Sequence, residues 1–136
     1  MYFDTIIQNG NIIDGTGKLD PFPADIGISG EQISAVGNLK NAYADQKIDA
    51  TNRMVSPGFI DVHVHSEIVL LGGRDRFAGL KQGVTTQLLA PDGFGWACLP
   101  PKKTKQMWEY TRFIYSEVEF DLGWPTVENY FDLFHG

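Results

Sequence analysis

The stretch Pro57-Gly58-Phe59-Ile60-Asp61-Val62-His63-Val64-His65 decides how the rest of the chain is read. Alternate side chains of a β-strand share a face, so a strand over Phe59–His65 turns Asp61, His63 and His65 one way and Ile60, Val62 and Val64 the other. With the aliphatic face packed under helices, the polar face looks into a barrel. Two imidazoles two residues apart at a strand's end then reach one divalent metal ion. Asp61, one step deeper, is placed to accept a hydrogen bond from a ligand or to stabilise the strand end. Taken alone, such a histidine pair has a second reading, as solvent-facing or hydrogen-bonded side chains with no ion between them.

Downstream, Arg74 to Gln82 reads as a short amphipathic helix closed by Gly83, and Val84 to Ala90 as a second strand, apolar on both faces. Strand, helix, strand of this kind predicts a parallel sheet buried under helices, and therefore an α/β fold. The loop from Asp92-Gly93-Phe94-Gly95 to Pro100-Pro101 leads into a helix from about Thr104 to Tyr115. A last helix follows Thr126 as N-cap, with Val127, Tyr130, Phe131 and Phe134 as its apolar side. Arg74, Asp75 and Arg76 read as a solvated helix start, and His135 as a surface residue without a partner at ligand spacing.

Upstream, residues 1–55 read as short strands separated by turns. Thr5 to Gln8 and Asn11 to Ile13 flank Asn9-Gly10, the dipeptide best suited to a tight hairpin. Asp25 to Ile28, Gln32 to Val36, Lys47 to Ala50 and Met54 to Val55 supply further strands around Ser29-Gly30-Glu31 and Thr51-Asn52-Arg53. The expectation is a small β-sandwich-type unit over 1–55, followed by the barrel-like segment 56–136.

Composition narrows the function classes. The 136 residues are 43% hydrophobic and 21% charged, which fits a folded globular chain and excludes disorder or a collagen-like fibre. Seventeen acidic residues against eleven basic ones give a net charge of −6. The one basic cluster, Lys102, Lys103 and Lys105, is no phosphate-backbone footprint, so nucleic acid is not an expected partner. Cys98 is a single cysteine, which allows no internal disulfide and fits a reducing compartment. No run reaches the ~18 apolar residues of a membrane span, and the N-terminus lacks a secretory pattern. A cytoplasmic location without membrane contact is expected.

The PGFIDxHxH segment resembles the amidohydrolase superfamily, whose metal-dependent hydrolases place an HxH pair at the end of the first strand of a (β/α)8 barrel. Gly83-Val84-Thr85-Thr86 is similar to that family's second-strand signature. The run His63-Val64-His65-Ser66-Glu67 through Leu70-Leu71, then Gln82 to Gln87 and Asp92-Gly93-Phe94-Gly95-Trp96, resembles more narrowly the N-acyl-D-amino-acid deacylases, the D-aminoacylase branch. The opening run Asn9 to Gly17 is also like those enzymes.

The resemblance implies zinc or another divalent metal as cofactor, His63 and His65 as ligands, and a small-molecule substrate. It implies hydrolysis of an N-acyl-D-amino acid to a D-amino acid and a carboxylate, with the metal polarising the amide carbonyl and activating water while an aspartate shuttles the proton. Many D-aminoacylases carry Asn-Cys-Gly after the second strand, the thiolate serving as a ligand, where this chain has Pro91-Asp92-Gly93. Asp92 admits two readings, a carboxylate ligand in place of the thiolate or the start of an Asx turn ahead of Gly93. Cys98 is read as a buried inert thiol rather than a displaced ligand. Ser66 and Glu67 stand where the family has polar residues. Glu67 either orients a ligand or contacts substrate, or is an exposed loop carboxylate, the commoner outcome.

The residues after Pro57 fall far short of the ~250 of a complete barrel, and the family's later ligands and its general-base aspartate have no counterpart here. The chain is therefore expected to be a front portion, inactive by itself, and prone to self-association through exposed sheet edges. Two other readings stay open: a cyclic-amide hydrolase of the dihydroorotase or hydantoinase type, and a remnant without catalysis.

Overall fold

β1, Tyr2–Ile12, is the strand around which the first half is organised. It pairs antiparallel with β2, Phe22–Ser29, on one edge. On its other edge it pairs parallel, first with β4, Tyr43–Asp49, and further along with β5, Met54–Val55. β3, Gln32–Gly37, extends the sheet beyond β2. The computed structural model describes residues 1–72, 77–97, 99–115 and 123–134. Arg74, Asp75, Arg76, Cys98 and His135 lie outside the described residues.

The hairpin expected at Asn9-Gly10 does not form, because β1 runs straight through it. Asn9 does adopt the positive φ that the dipeptide favours, 61°, but spends it on a β-bulge: the register against β2 slips between Ile7 and Gly10. Long-range contacts hold the bulge. The Asn9 backbone N–H donates to Asp25 Oδ1 at 2.8 Å and its side-chain amide to Asp49 Oδ1 at 3.0 Å. Gly10 is buried, and a Cβ there would stand 2.7 Å from Val55 Cγ2. The glycine is thus needed for close packing inside the strand and not for a turn.

Of the expected sandwich-type unit, residues 1–57 form a single layer: β1 takes partners on both edges, and β1 to β5 all belong to one sheet. Phe3, Ile6, Leu39 and Ala42 form its small core. Elsewhere Ile7, Ile12, Phe22, Ile26 and Ile28 line an open apolar groove of about 450 Å³.

Contacts divide the chain into two units, Met1–Pro57 and Gly58–Gly136. In the second, β6, Phe59–Asp61, pairs parallel with β7, Val84–Gln87. Among the described residues four helices accompany them: α1, Glu67–Leu71; α2, Ala78–Lys81; α3, Pro101–Tyr115; and α4, Val127–Asp132. Thr126 caps α4, its hydroxyl accepting from the Asn129 N–H at 3.1 Å. The core gathers Ile68, Trp96, Tyr115, Trp124 and Tyr130. Its polar edges are paired: the Trp96 indole donates to Tyr115 Oη at 3.2 Å, and the Trp124 indole to the Trp96 carbonyl at 2.8 Å.

Two parallel strands with helices make a mixed α/β arrangement, and no barrel is present among the described residues. Nor is any helix among them long and apolar enough to cross a membrane.

Candidate metal site

Both expected strands are shorter than the sequence suggests, and this shapes the site. β6 ends at Asp61 instead of running to His65, because the Asp61 carboxylate accepts the His63 backbone N–H at 3.1 Å and turns the chain out of the ladder. Asp61, His63 and His65 therefore do not share a strand face. The two histidines lie in the irregular segment between β6 and α1. β7 likewise ends at Gln87, with Leu88 N–H still donating to the Asp61 carbonyl at 2.8 Å.

The histidines nevertheless converge. Their ring centroids are 5.7 Å apart and nearly perpendicular. His63 Nε2 lies 3.0 Å from Asp92 Oδ2, and His65 Nε2 lies 3.6 Å from the same oxygen. One donor atom from each of His63, His65 and Asp92 falls within 4.8 Å of the others. Two ligands each about 2.0–2.1 Å from a tetrahedral zinc stand about 3.4 Å apart, and the observed spacings bracket that figure. Two imidazoles and one carboxylate form a donor set that suits a divalent cation.

His63 and Asp92 are open to solvent, with side chains 61% and 54% exposed, whereas His65 is 20% exposed. The His65 ring packs edge-on against Phe94 at 5.4 Å and Tyr115 at 6.5 Å. Its Nδ1 is buried with no hydrogen-bond partner among the described residues.

Asp92 is delivered by an unusual turn. Ala90 and Asp92 have φ of 64° and 58° on either side of Pro91, and the Phe94 N–H closes the single 3₁₀ turn on the Pro91 carbonyl at 3.0 Å. An alanine in the left-handed region costs about 1–2 kcal/mol, whereas aspartate tolerates it, so it is the angle at Ala90 that does not follow from local preference. Ser66 and Glu67 connect the histidine segment to β7 and to that turn. Ser66 Oγ donates to Gln87 Oε1 at 2.7 Å, and Glu67 Oε1 accepts the Ala90 N–H at 2.5 Å. Glu67 is wholly buried, against the expectation of an exposed loop carboxylate, because α1 starts at Glu67 and directs it inward beside Ile68.

Gln87, Phe94 and Tyr115 border the site without having been singled out in the sequence. Gln87 ends the Gln82-to-Gln87 run and Phe94 follows Asp92-Gly93, so both stand in stretches that carry the family resemblance, and that was their signal. Tyr115 comes from the far end of α3 and had none. Its phenol is pushed above the usual range by burial, an effect the Trp96 indole opposes and the Glu67 charge adds to.

No protein-family model matches the chain. A D-aminoacylase of Alcaligenes xylosoxydans xylosoxydans is 38% identical to it over 97 residues, which is 71% of this chain and 20% of that enzyme. This chain matches the N-terminal region of the D-aminoacylases, within the amidohydrolase superfamily. A D-aminoacylase structure, described by its binuclear metal centre with one-metal activation and second-metal attenuation, aligns with a TM-score of 0.67 and 41% identity, covering 73% of this chain and 21% of that one. An N-acyl-D-glutamate deacylase from Bordetella bronchiseptica, solved with zinc and a phosphonate mimic of the tetrahedral intermediate, aligns at 0.66 and 36% identity, covering 74% and 21%. The chain thus spans about a fifth of the length of the D-aminoacylases it matches.

Proposed function

We propose that this chain supplies part of the metal centre of a hydrolase that cleaves N-acyl-D-amino acids to a D-amino acid and a carboxylate. The observation that carries the reading is the convergence of His63, His65 and Asp92 on one point, in a chain homologous to D-aminoacylases. Its structural counterpart, also proposed, is that β6 and β7 are the opening strands of a (β/α)8 barrel, which the parallel pairing of the two supports.

His63, His65 and Asp92 would hold the cation. When bound, a divalent cation supplies Lewis acidity toward an amide carbonyl and toward water. Asp92 brings the negative charge of the donor set, and Asp61 keeps the His63 backbone turned toward it through the bond to its N–H. Phe94 and Tyr115 shield one ring, His65, from water. On this reading the proton shuttle that amide cleavage needs is a further group beyond His63, His65 and Asp92, and the 136 residues alone are inactive. The test is deacylation of N-acyl-D- and N-acyl-L-amino acids by the purified chain and by any longer product of the same gene, with zinc. The longer product turns over the D-series and the 136-residue chain does not. Turnover of about 10 per second by the short chain, or a preference of the longer product for hydantoins or dihydroorotate, refutes the reading.

A further inference from the structure

We propose that Glu67 is the positioning residue for Asp92: its carboxylate fixes the Ala90–Asp92 turn and so holds the Asp92 oxygen between His63 and His65. The inference rests on the metal-centre reading above and adds to it the group that preorganises the carboxylate ligand.

A fully buried carboxylate is costly unless its oxygens are hydrogen-bonded. Glu67 makes one hydrogen bond for that cost, from the Ala90 N–H to Oε1, and its other oxygen, Oε2, is buried without a partner among the described residues. The return on burying it therefore lies in the Ala90 contact. Ala90 is where an anchor is needed. It opens the turn in the left-handed region, Pro91 follows, and Asp92 is left-handed again. Aspartate tolerates the left-handed region, but alanine does not favour it, so the angle at Ala90 needs an outside constraint.

The anchor is also rigid. Glu67 begins α1, and its neighbour Ile68 is wholly buried in the core with Trp96 and Tyr115. The carboxylate is thus fixed to the same packed unit that carries His65, two residues earlier in the chain. One short segment delivers both an imidazole and the clamp for the opposing carboxylate. Without the clamp the turn relaxes toward ordinary angles, and Asp92, more than half exposed, leaves the histidines.

The test uses the 136-residue chain, with cobalt(II) as the spectroscopic probe of the site and the Ala90 amide as a probe that needs no metal. In the unmodified chain the Ala90 amide exchanges slowly. It keeps that protection in Glu67→Gln, whose oxygen still accepts, and loses it in Glu67→Leu. Cobalt affinity falls roughly 10–100-fold in Glu67→Leu, is restored toward normal in Glu67→Gln, and falls no further when Asp92→Ala is added to Glu67→Leu. A folded Glu67→Leu chain that binds cobalt normally, or whose loss adds fully to that of Asp92→Ala, overturns the proposal. So does an unprotected Ala90 amide in the unmodified chain, which decides the matter even if Glu67→Leu does not fold. An unmodified chain that binds no cobalt while its Ala90 amide is protected shows that His63, His65 and Asp92 do not hold a cation by themselves, and leaves the Glu67–Asp92 arrangement to be judged on the amide alone.

Discussion

Replacing Gly58 by alanine will separate the two strands that carry the site. A Cβ at Gly58 would stand 2.1 Å from Thr85 Oγ1, 2.3 Å from its Cγ2 and 2.7 Å from its Cβ. Rotating the threonine about χ1 moves the first two atoms but not the third, so the backbones of β6 and β7 themselves must part. Overpacking that forces backbone movement costs typically 1–3 kcal/mol, and three contacts this short place Gly58→Ala near the upper end, about 2–3 kcal/mol.

The protein provides its own reporter, because Trp96, Trp108 and Trp124 are its three tryptophans and all lie in Gly58–Gly136. Thermal unfolding followed by tryptophan fluorescence should drop by about 10–20 °C in Gly58→Ala. Thr85→Gly removes all three opposing atoms, so in that background the same change should cost at least about 1 kcal/mol less. An unaltered midpoint in Gly58→Ala, or a penalty that is the same with Thr85 and with Gly at that position, would refute the packing argument.

Zinc affinity should fall at least about tenfold in Asp92→Ala and should not fall in Asp92→Cys, which supplies a soft thiolate; zinc titration against a chromophoric chelator reads both. Burial first, with the Glu67 charge adding, pushes the phenols of Tyr115 and Tyr130 above their ordinary value. Because the folded values are raised, the stability these phenols provide is fully present below about pH 10 and is lost as pH climbs past it. Tyrosinate absorbance should therefore rise in two phases, the later one coinciding with the fluorescence change of the second unit; a single phase matching that of the urea-unfolded chain contradicts this. Thr126→Ala should cost about 1 kcal/mol by removing the cap of α4, and a midpoint lowered by less than a degree would show that α4 does not depend on it.

How much was legible from sequence depended on how far each residue's partners lie along the chain. The strands at Gln32–Gly37 and Met54–Val55, the body of α3 up to Tyr115 and the Thr126 cap follow from local patterns of apolar spacing and capping, and there expectation and structure agree. Asn9-Gly10 misled because the dipeptide specifies an angle, not a turn; Asp25, Asp49 and Val55, all distant in sequence, decide that the angle becomes a bulge. Asp61 misled in the opposite way: alternation extends the strand to His65, while one side-chain bond to the His63 N–H ends it. In the sequence Asp92 was open to two readings, a ligand or an Asx turn; in the structure its turn is closed backbone to backbone, from the Phe94 N–H to the Pro91 carbonyl, and its carboxylate lies beside the histidines. The burial of Glu67 was hidden, because a short helix beginning at that residue leaves no periodic signal.

β1 has a consequence for synthesis on the ribosome. It emerges first, yet it lies in the middle of its sheet, and β4 and β5 pair with it across some forty residues of intervening chain. Until those strands emerge, β1, β2 and β3 can form only a three-stranded ribbon in which the edge of β1 is bare. At ~5–20 residues per second, that edge stays open for a few seconds in every newborn molecule. During this interval the nascent chain is most exposed to pairing with a neighbour. Early protection of that edge, by a chaperone or by slow local translation ahead of β4, would do more for the yield of folded protein than any gain in final stability.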